Sequence, residues 1–289
     1  MSACTASTDA RKRDEVMIKN NVSPVALVKS IVRHRQLLVE LAWRETIGRY
    51  KGSMFGLLWS LLIPLMMLGI YTFVFSEIFK SRWGAGSYTS KSAFAVILFA
   101  GLIIFNMFSE CVSRAPGIVL SNQNFVKKVV FPLEILPCVT VLSALFHALV
   151  SMVVLLVFEF IGFGFIPATA LLAPLIIIPF VLFVLGVTWW LSATGVYLRD
   201  IGQTIGIFIT GLMFVSPIFF PLSSFPERWR FLANFNPLTY PIETMRSLVV
   251  LGQPLEWDSW AKYVTFAVVF AWFGFAWFQK ARRGFADVL

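Results

Sequence analysis

Long apolar blocks separated by short polar stretches dominate the pattern of the chain. Each block has roughly 20 to 30 residues, about the length that an α-helix needs to cross the hydrocarbon layer of a membrane. We therefore predict an all-α membrane protein with about six transmembrane helices. These spans are expected over residues 54–78, 93–113, 135–161, 168–197, 203–222 and 261–279.

The composition agrees with a membrane protein, and its charges indicate an orientation. Of 289 residues, 58% are hydrophobic and 13% are charged. Seventeen of the 24 lysines and arginines lie before residue 54, between 114 and 134, at Arg199 or after residue 279. Because cytoplasmic loops carry an excess of positive charge, we expect both termini in the cytoplasm. The same bias accounts for the net charge of +9, so nucleic-acid binding is not predicted.

The chain lacks the side-chain clusters that catalysis or metal binding requires. Its cysteines and histidines (Cys4, Cys111, Cys138, His34 and His147) have no metal-ligand spacing. No Gly-Lys pair of a phosphate-binding loop occurs. We therefore expect no catalytic residue, no metal and no bound cofactor. If transport is driven uphill, a partner must hold ATP and Mg. His147, near the middle of a span, could be functional or simply satisfied by a neighbouring helix.

Two stretches predict helices outside the spans. Residues 33–52 alternate apolar and charged positions at near-helical spacing, which indicates an amphipathic helix at the membrane interface. This helix could be a membrane anchor or a lever that contacts a soluble subunit. Residues 116–132 place Asn122 and Asn124 among apolar residues and predict a short helix that projects into the cytoplasm. A connector without a role is the alternative for this second stretch.

Residues 223–256 are too apolar for a solvated loop, and prolines interrupt them, among them Pro237, Pro241 and Pro254. Non-helical backbone at membrane depth is tolerated only against protein or water. We therefore predict short re-entrant helices that cap a pathway on the outer side of the membrane.

A pathway for a large cargo is expected between two copies of the chain. Six helices hardly enclose a channel wide enough for a large polar cargo, whereas a two-fold dimer can. Gly202 and Gly206 form a G-x-x-x-G spacing that permits close approach of another helix. Aromatic residues, 16% of the chain, could line the pathway, because ring faces pack on sugars. They could also form interfacial belts against lipid.

Several stretches together resemble a known family of membrane proteins. They are LAWRETIGRYKGSMFGLLWSLLIPLMMLGIYTFVFS at 41–76, NQNFVKKVVFPLEILP at 122–137, YLRDI at 197–201, SPIFFPLSSFP at 216–226, NPLTYPIETMR at 236–246 and GFADVL at 284–289. In this order and spacing they resemble the ABC-2 permeases that export O-antigen, capsular polysaccharide and teichoic acid.

The resemblance implies a homodimer in the bacterial inner membrane, paired with two copies of a cytoplasmic ABC ATPase that binds ATP and Mg. The complex would move a polyprenyl-linked polysaccharide out of the cytoplasm. Residues 31–289 would form the ABC-2 transmembrane domain, and residues 1–30 a cytoplasmic extension that we expect to be disordered. An ABC-2 permease for a drug or a lipid is the main alternative, and a membrane scaffold without transport is another.

The resemblance also implies roles for individual residues. Contact with the ATPase would involve Arg44, Glu45, Arg49, Ser121, Asn122, Asn124, Phe125, Lys127 and Lys128. The channel would be lined by Trp59, Tyr71, Phe73, Phe105, Phe108, Phe214 and Phe219. The periplasmic gate would comprise Asn236, Pro237, Tyr240, Pro241, Glu243 and Arg246. Gly202 and Gly206 would lie in the dimer interface.

Overall fold

The computed structural model describes residues 24–74, 91–126, 131–222 and 225–289. In these ranges all regular secondary structure is helical, as predicted. The α-helices are α1 Pro24–Arg33, α2 Arg35–Gly48, α3 Trp59–Phe73, α4 Lys91–Arg114, α5 Gln123–Val126, α6 Ile135–Phe163, α7 Ala173–Tyr197, α8 Ile201–Val215, α9 Arg230–Phe235, α10 Thr239–Val249, α11 Trp257–Ala281 and α12 Phe285–Val288.

Within the described residues, five helical stretches are long and apolar enough to cross a membrane. They are Gly56–Phe73, Phe94–Gly117, Ile135–Phe163, Ala168–Tyr197 and Trp257–Val288. Each overlaps one of the predicted spans. The last four residues of the first predicted span, 75–78, lie outside the described residues.

The fifth predicted span, 203–222, corresponds to a shorter helix. α8 has 15 residues, so it rises about 22 Å, less than the roughly 30 Å of a hydrocarbon layer. The helix ends where Ser216 precedes Pro217, because a residue before proline avoids helical dihedral angles. Ser216 accordingly has φ −77° and ψ 144°. The chain from 216 to 222 is not α-helical, which the apolar composition did not reveal.

α4 is the central helix of the bundle. Residues 94–105 of this helix are all buried, and α3, α6, α7, α8 and α10 pack around it. The side chains of Ile97 and Leu98 have no exposed surface. A single copy of the chain therefore already surrounds α4. The aromatic residues of α4 belong to the core of that copy.

α7 and α11 cross in close contact at two glycines. A Cβ atom added to Gly274 would lie 2.1 Å from the carbonyl oxygen of Gly186. Beside this crossing, Trp189 contacts Phe275 edge-on, with ring centroids 5.3 Å apart. Small residues thus allow the two backbones to meet, as is usual where membrane helices pack.

α2 forms a helix in the predicted stretch, and two of its faces differ in exposure. One face is buried and repeats every fourth residue: Leu38, Ala42 and Thr46, followed by Tyr50 just beyond the end of the helix. This face packs along α6. The other face is exposed and repeats in the same way: Val39, Trp43 and Ile47. The exposed apolar stripe suits contact with lipid at the membrane interface, because Trp and aliphatic side chains favour that depth.

The N-terminal extension is described only in part. Residues 1–23, most of the extension over 1–30 that we expect to be disordered, lie outside the described residues. Residues 24–30 belong to α1. The hydroxyl of Ser30 donates a hydrogen bond to Glu134 across 3.0 Å, which ties α1 to the residue before α6.

Candidate functional site

A groove runs between α2 and the segment that follows α4, and it brings two predicted coupling stretches together. Its volume is about 590 Å³. The residues from the predicted set that line this α2 groove are Arg44, Glu45, Ser121, Asn122 and Phe125. Asn124 is exposed beside it. Lys127 and Lys128 lie outside the described residues.

Local hydrogen bonds shape the far wall of the α2 groove. The amide of Asn122 donates to the carbonyl oxygen of Ile118 across 2.8 Å, and the hydroxyl of Ser121 donates to the same oxygen across 3.2 Å. Such side-chain bonds stabilise short turns in place of a continuing helix. Phe125 stacks on Phe131 with ring centroids 4.3 Å apart. The wall therefore presents a half-buried ring beside polar side chains.

Ion pairs join α2 to α4 next to this groove. Glu45 pairs with Arg114, and Arg49 pairs with Glu110. Glu110 also lies 3.7 Å from Arg114 and 3.5 Å from His147. Burial alone would lower the pKa of Arg49, but its hydrogen bond to Glu110 and the charge of that carboxylate raise it. We call these five residues the ion-pair cluster.

The sequence prediction included Glu45 and Arg49 but missed their partners. Glu110 and Arg114 are four residues apart with opposite charges at the end of an apolar span, which is a usable signal for a helix-end ion pair. Their pairing with α2 has no such signal, because the hydrogen-bonded residues Arg49 and Glu110 are 61 positions apart. His147, whose role was left open above, belongs to this cluster through Glu110.

Arg246 holds the segment after α8 to the centre of the bundle. Its guanidinium donates to the carbonyl oxygens of Pro217 and Ile218, and its Nε donates to that of Ile97 across 3.0 Å. Gly101 makes room for it, since a Cβ there would lie 2.6 Å from Nη2. Burial lowers the pKa of Arg246 to about 10, with Glu243 opposing the shift. The group therefore stays charged at neutral pH.

The segment from 225 to 249 contains short helices, as predicted, namely α9 and α10. Asn236 fixes the turn between them: its amide donates to the hydroxyl of Ser216 across 2.8 Å, and its Oδ1 accepts from the Leu238 backbone across 3.0 Å. A cavity of about 400 Å³, here called the α10 cavity, opens beside this turn. Asn236, Pro237, Tyr240 and Glu243 of the predicted gate line it. Pro241 and Arg246 are buried.

Comparison with known proteins decides the family. Residues 36–250 match the ABC-2 type transporter family. The chain belongs to this family. The match covers most of the described helices and includes both the α2 groove and Arg246.

The relatives of this ABC-2 transporter chain are similar over nearly their whole length. It is 28% identical to an O-antigen export system permease protein RfbA of Klebsiella pneumoniae, over 88% of this chain and 95% of the relative. It is 25% identical to the RfbA protein of Myxococcus xanthus, over 91% and 99%. It is 26% identical to the polysialic acid transport protein KpsM of Escherichia coli, over 81% and 88%.

The predicted channel residues of this ABC-2 transporter fall into two groups. Phe105 and Phe108 are 4% and 3% exposed, inside the core of one copy. Their burial is explained by packing, since Phe108 stacks on Phe183 with ring centroids 6.2 Å apart. Phe73 and Phe214 are 61% and 60% exposed. Trp59, Tyr71 and Phe219 are partly exposed. Only the exposed and partly exposed residues are available to face a second copy.

The predicted dimer glycines lie on an exposed face of α8. Among the residues that the structure describes, a Cβ atom at Gly206 would meet nothing within 4 Å, and one at Gly202 would only touch Pro116 at 4.0 Å. Ile207 and Phe208 on the same helix are 78% and 58% exposed. This face of the ABC-2 transporter is thus open to another helix or to lipid.

Proposed function

We propose that this chain is the membrane subunit of an ATP-driven exporter that moves lipid-linked polysaccharide across the bacterial inner membrane. The observation that carries the proposal is the similarity, over at least four fifths of the chain, to permeases named for O-antigen export and polysialic acid transport. The bundle of apolar helices supports it, because such helices suit a membrane subunit.

The α2 groove is the docking surface for a cytoplasmic ABC ATPase in this proposal. It offers a half-buried aromatic ring at Phe125 next to charges at Arg44 and Glu45. Interfaces commonly combine an aromatic or apolar anchor with a polar rim. ATP and Mg would be bound by that partner. The ion-pair cluster would then carry movements of α2 to α4 and α6, which lie in the membrane.

Two copies of the chain would enclose the pathway. The open face at Gly206 allows two α8 helices, or α8 and α3 of the two copies, to approach closely. A two-fold axis along the membrane normal places identical groove surfaces on the same side, where two ATPase subunits can bind. Phe73 and Phe214, being exposed, would lie toward this pathway. The α9 and α10 helices would cap it on the outer side, with both termini in the cytoplasm.

The location of lipid-linked glycan in cells that lack this chain tests the proposal. We expect polymer to accumulate on the inner membrane and to disappear from the surface, and the intact chain to restore it. A Phe125→Asp variant should fail to restore export, since a buried charge would oppose docking, although it should still insert in the membrane. Normal surface glycan in the deletion strain would instead favour export of a drug or a lipid.

A further inference from the structure

The α10 cavity contains buried polar groups that the fold does not fully satisfy. Tyr263, in the second turn of α11, is 7% exposed and lines the cavity. Its hydroxyl has no hydrogen-bond partner among the described residues. The hydroxyl of Tyr240 and the Oε1 atom of Glu243 are buried as well. The side chain of Thr244 neighbours the Tyr240 hydroxyl, and Nη1 of Arg246 lies 3.6 Å from Oε1, so these two groups are only partly satisfied. Polar groups inside proteins are rarely left unpaired, because desolvation without a partner is costly. A polar occupant is therefore expected.

The rings of Tyr240 and Tyr263 provide apolar faces in the cavity. Tyr240 and Tyr263 have ring centroids 4.9 Å apart with planes tilted by 34°. Phe266 lies next to them, 6.2 Å from Tyr263. The volume of about 400 Å³ is within the ordinary range for small-molecule sites. The cavity thus combines flat apolar walls with separate hydroxyl and carboxylate groups.

The charges of the cavity restrict the class of ligand. Glu243 is the one charged residue among the described residues that line it. Its carboxylate repels phosphate and other anions. Arg246 lies 3.6 Å from Glu243 and balances part of its charge, but it is buried and is not among the residues that line the cavity. Its guanidinium donates to backbone carbonyl oxygens instead, so it offers no donor to an anion in the cavity. A single carboxylate is also too few ligands for a metal ion. A neutral molecule with several hydroxyl groups is the best match.

We propose that the α10 cavity binds one neutral sugar residue. The rings of Tyr240, Tyr263 and Phe266 pack on the apolar face of the sugar, while the two hydroxyls and Glu243 bond to its hydroxyl groups. This inference rests on the proposed function, which would bring a glycan past this cavity. It adds a specific sugar-binding site, built within one copy of the chain.

Saturation-transfer NMR on the full chain in lipid nanodiscs tests the proposal directly. Glucose, galactose, mannose, rhamnose and N-acetylglucosamine serve as probes, and glycoside detergents are kept out of the preparation. We expect ring protons of at least one sugar to receive saturation. Tyr263→Phe should weaken that binding about fivefold, as expected for one lost hydrogen bond. Tyr240→Phe is a second variant with the same expected effect. Tyr197→Phe is the control, because this hydroxyl donates to Ala281 outside the cavity.

Three results would overturn the sugar site. They are the absence of transfer to every probe, equal transfer in the wild type and both cavity variants, and displacement of the sugar by glycerol phosphate, which would indicate a lipid headgroup. None of these depends on the ATPase partner. Failure of the proposed function would show separately, as normal surface glycan in cells without the chain.

Discussion

Arg282 donates a hydrogen bond to Glu134 across 2.8 Å and so joins the end of α11 to the residue that precedes α6. Glu134 also accepts the bond from Ser30 described above, and its backbone carbonyl accepts one from the indole of Trp189 across 3.0 Å. Four separate parts of the chain meet at this carboxylate and its peptide group. The chain segment that runs from the α2 groove to α6 is therefore held in place at Glu134.

Replacing Arg282 by Gln should destabilise the protein by about 1 kcal/mol, because Glu134 loses a charged hydrogen bond that is only partly screened by solvent. For a chain of this size the loss corresponds to a fall in the unfolding midpoint of about 2–4 °C. Thermal unfolding of the purified chain in nanodiscs measures it. Lys262→Gln is the matched control, since Lys262 and Asp258 form an ion pair whose side chains are 75% and 82% exposed. An equal shift in both variants would contradict the special role of Glu134.

The spans could be predicted from the sequence because a long apolar run has few alternatives to a membrane helix. The end of α8 was harder, since Pro217 interrupts an apolar run without changing its composition. Contacts between distant charges were harder still. Arg246 was assigned to the periplasmic gate, but its burial could not be predicted from the sequence. Its carbonyl partners, Glu243 and the space at Gly101 explain how the fold tolerates that charge.

The ion-pair cluster should link ATP hydrolysis to export. Glu110→Gln keeps the size of the side chain but removes the charge that holds Arg49 and approaches Arg114 and His147. We expect export per ATP hydrolysed to fall about tenfold, equivalent to ~1.4 kcal/mol, within the usual range for a charged hydrogen bond. ATPase activity of the purified complex and surface glycan in cells give this ratio.

Asp258→Asn provides the comparison for Glu110→Gln, because it also neutralises one acid of an ion pair, at an exposed site. It should leave the ratio unchanged. If Glu110→Gln lowered export only in proportion to the amount of assembled complex, the cluster would be structural and would not transmit movement.

The crossing of α7 and α11 should not tolerate a methyl group. In Gly274→Ala the new Cβ would lie 2.1 Å from the backbone oxygen of Gly186, and backbone cannot move aside cheaply. We expect a loss of about 1–3 kcal/mol, the usual cost of overpacking, and a lower yield of folded protein. Gly69→Ala, in α3, has nothing within 4 Å and should be neutral or slightly stabilising, because alanine favours helices. Similar yields for the two variants would show that the helices separate easily.

The carboxyl group of Glu243 should make stability depend on pH. Burial raises its pKa, although the charge of Arg246 opposes the shift. A group whose pKa is raised on folding stabilises the fold below its ordinary pKa, and this contribution is lost as pH rises through the raised value. Glu243→Gln imitates the protonated form. The unfolding midpoint of this variant should therefore change less than that of the wild type between acidic and neutral pH. A Gln variant that is much less stable than wild type at neutral pH would show that the charge itself is required.

The open face of α8 should lie against the second copy. Because a Cβ atom at Gly206 meets none of the described residues within 4 Å, Gly206→Trp should fold normally yet separate the two copies, since a large side chain prevents close helix approach. Two experiments measure the dimeric fraction of the chain: size-exclusion chromatography of the purified protein outside nanodiscs, and cross-linking in native membranes. Gly162→Trp is the control, because Gly162 is also exposed, on α6, with nothing within 4 Å. If only the α8 variant is monomeric, the face at Gly206 is the interface. If both variants remain dimeric, the two copies meet at a surface other than the face of α8 at Gly206.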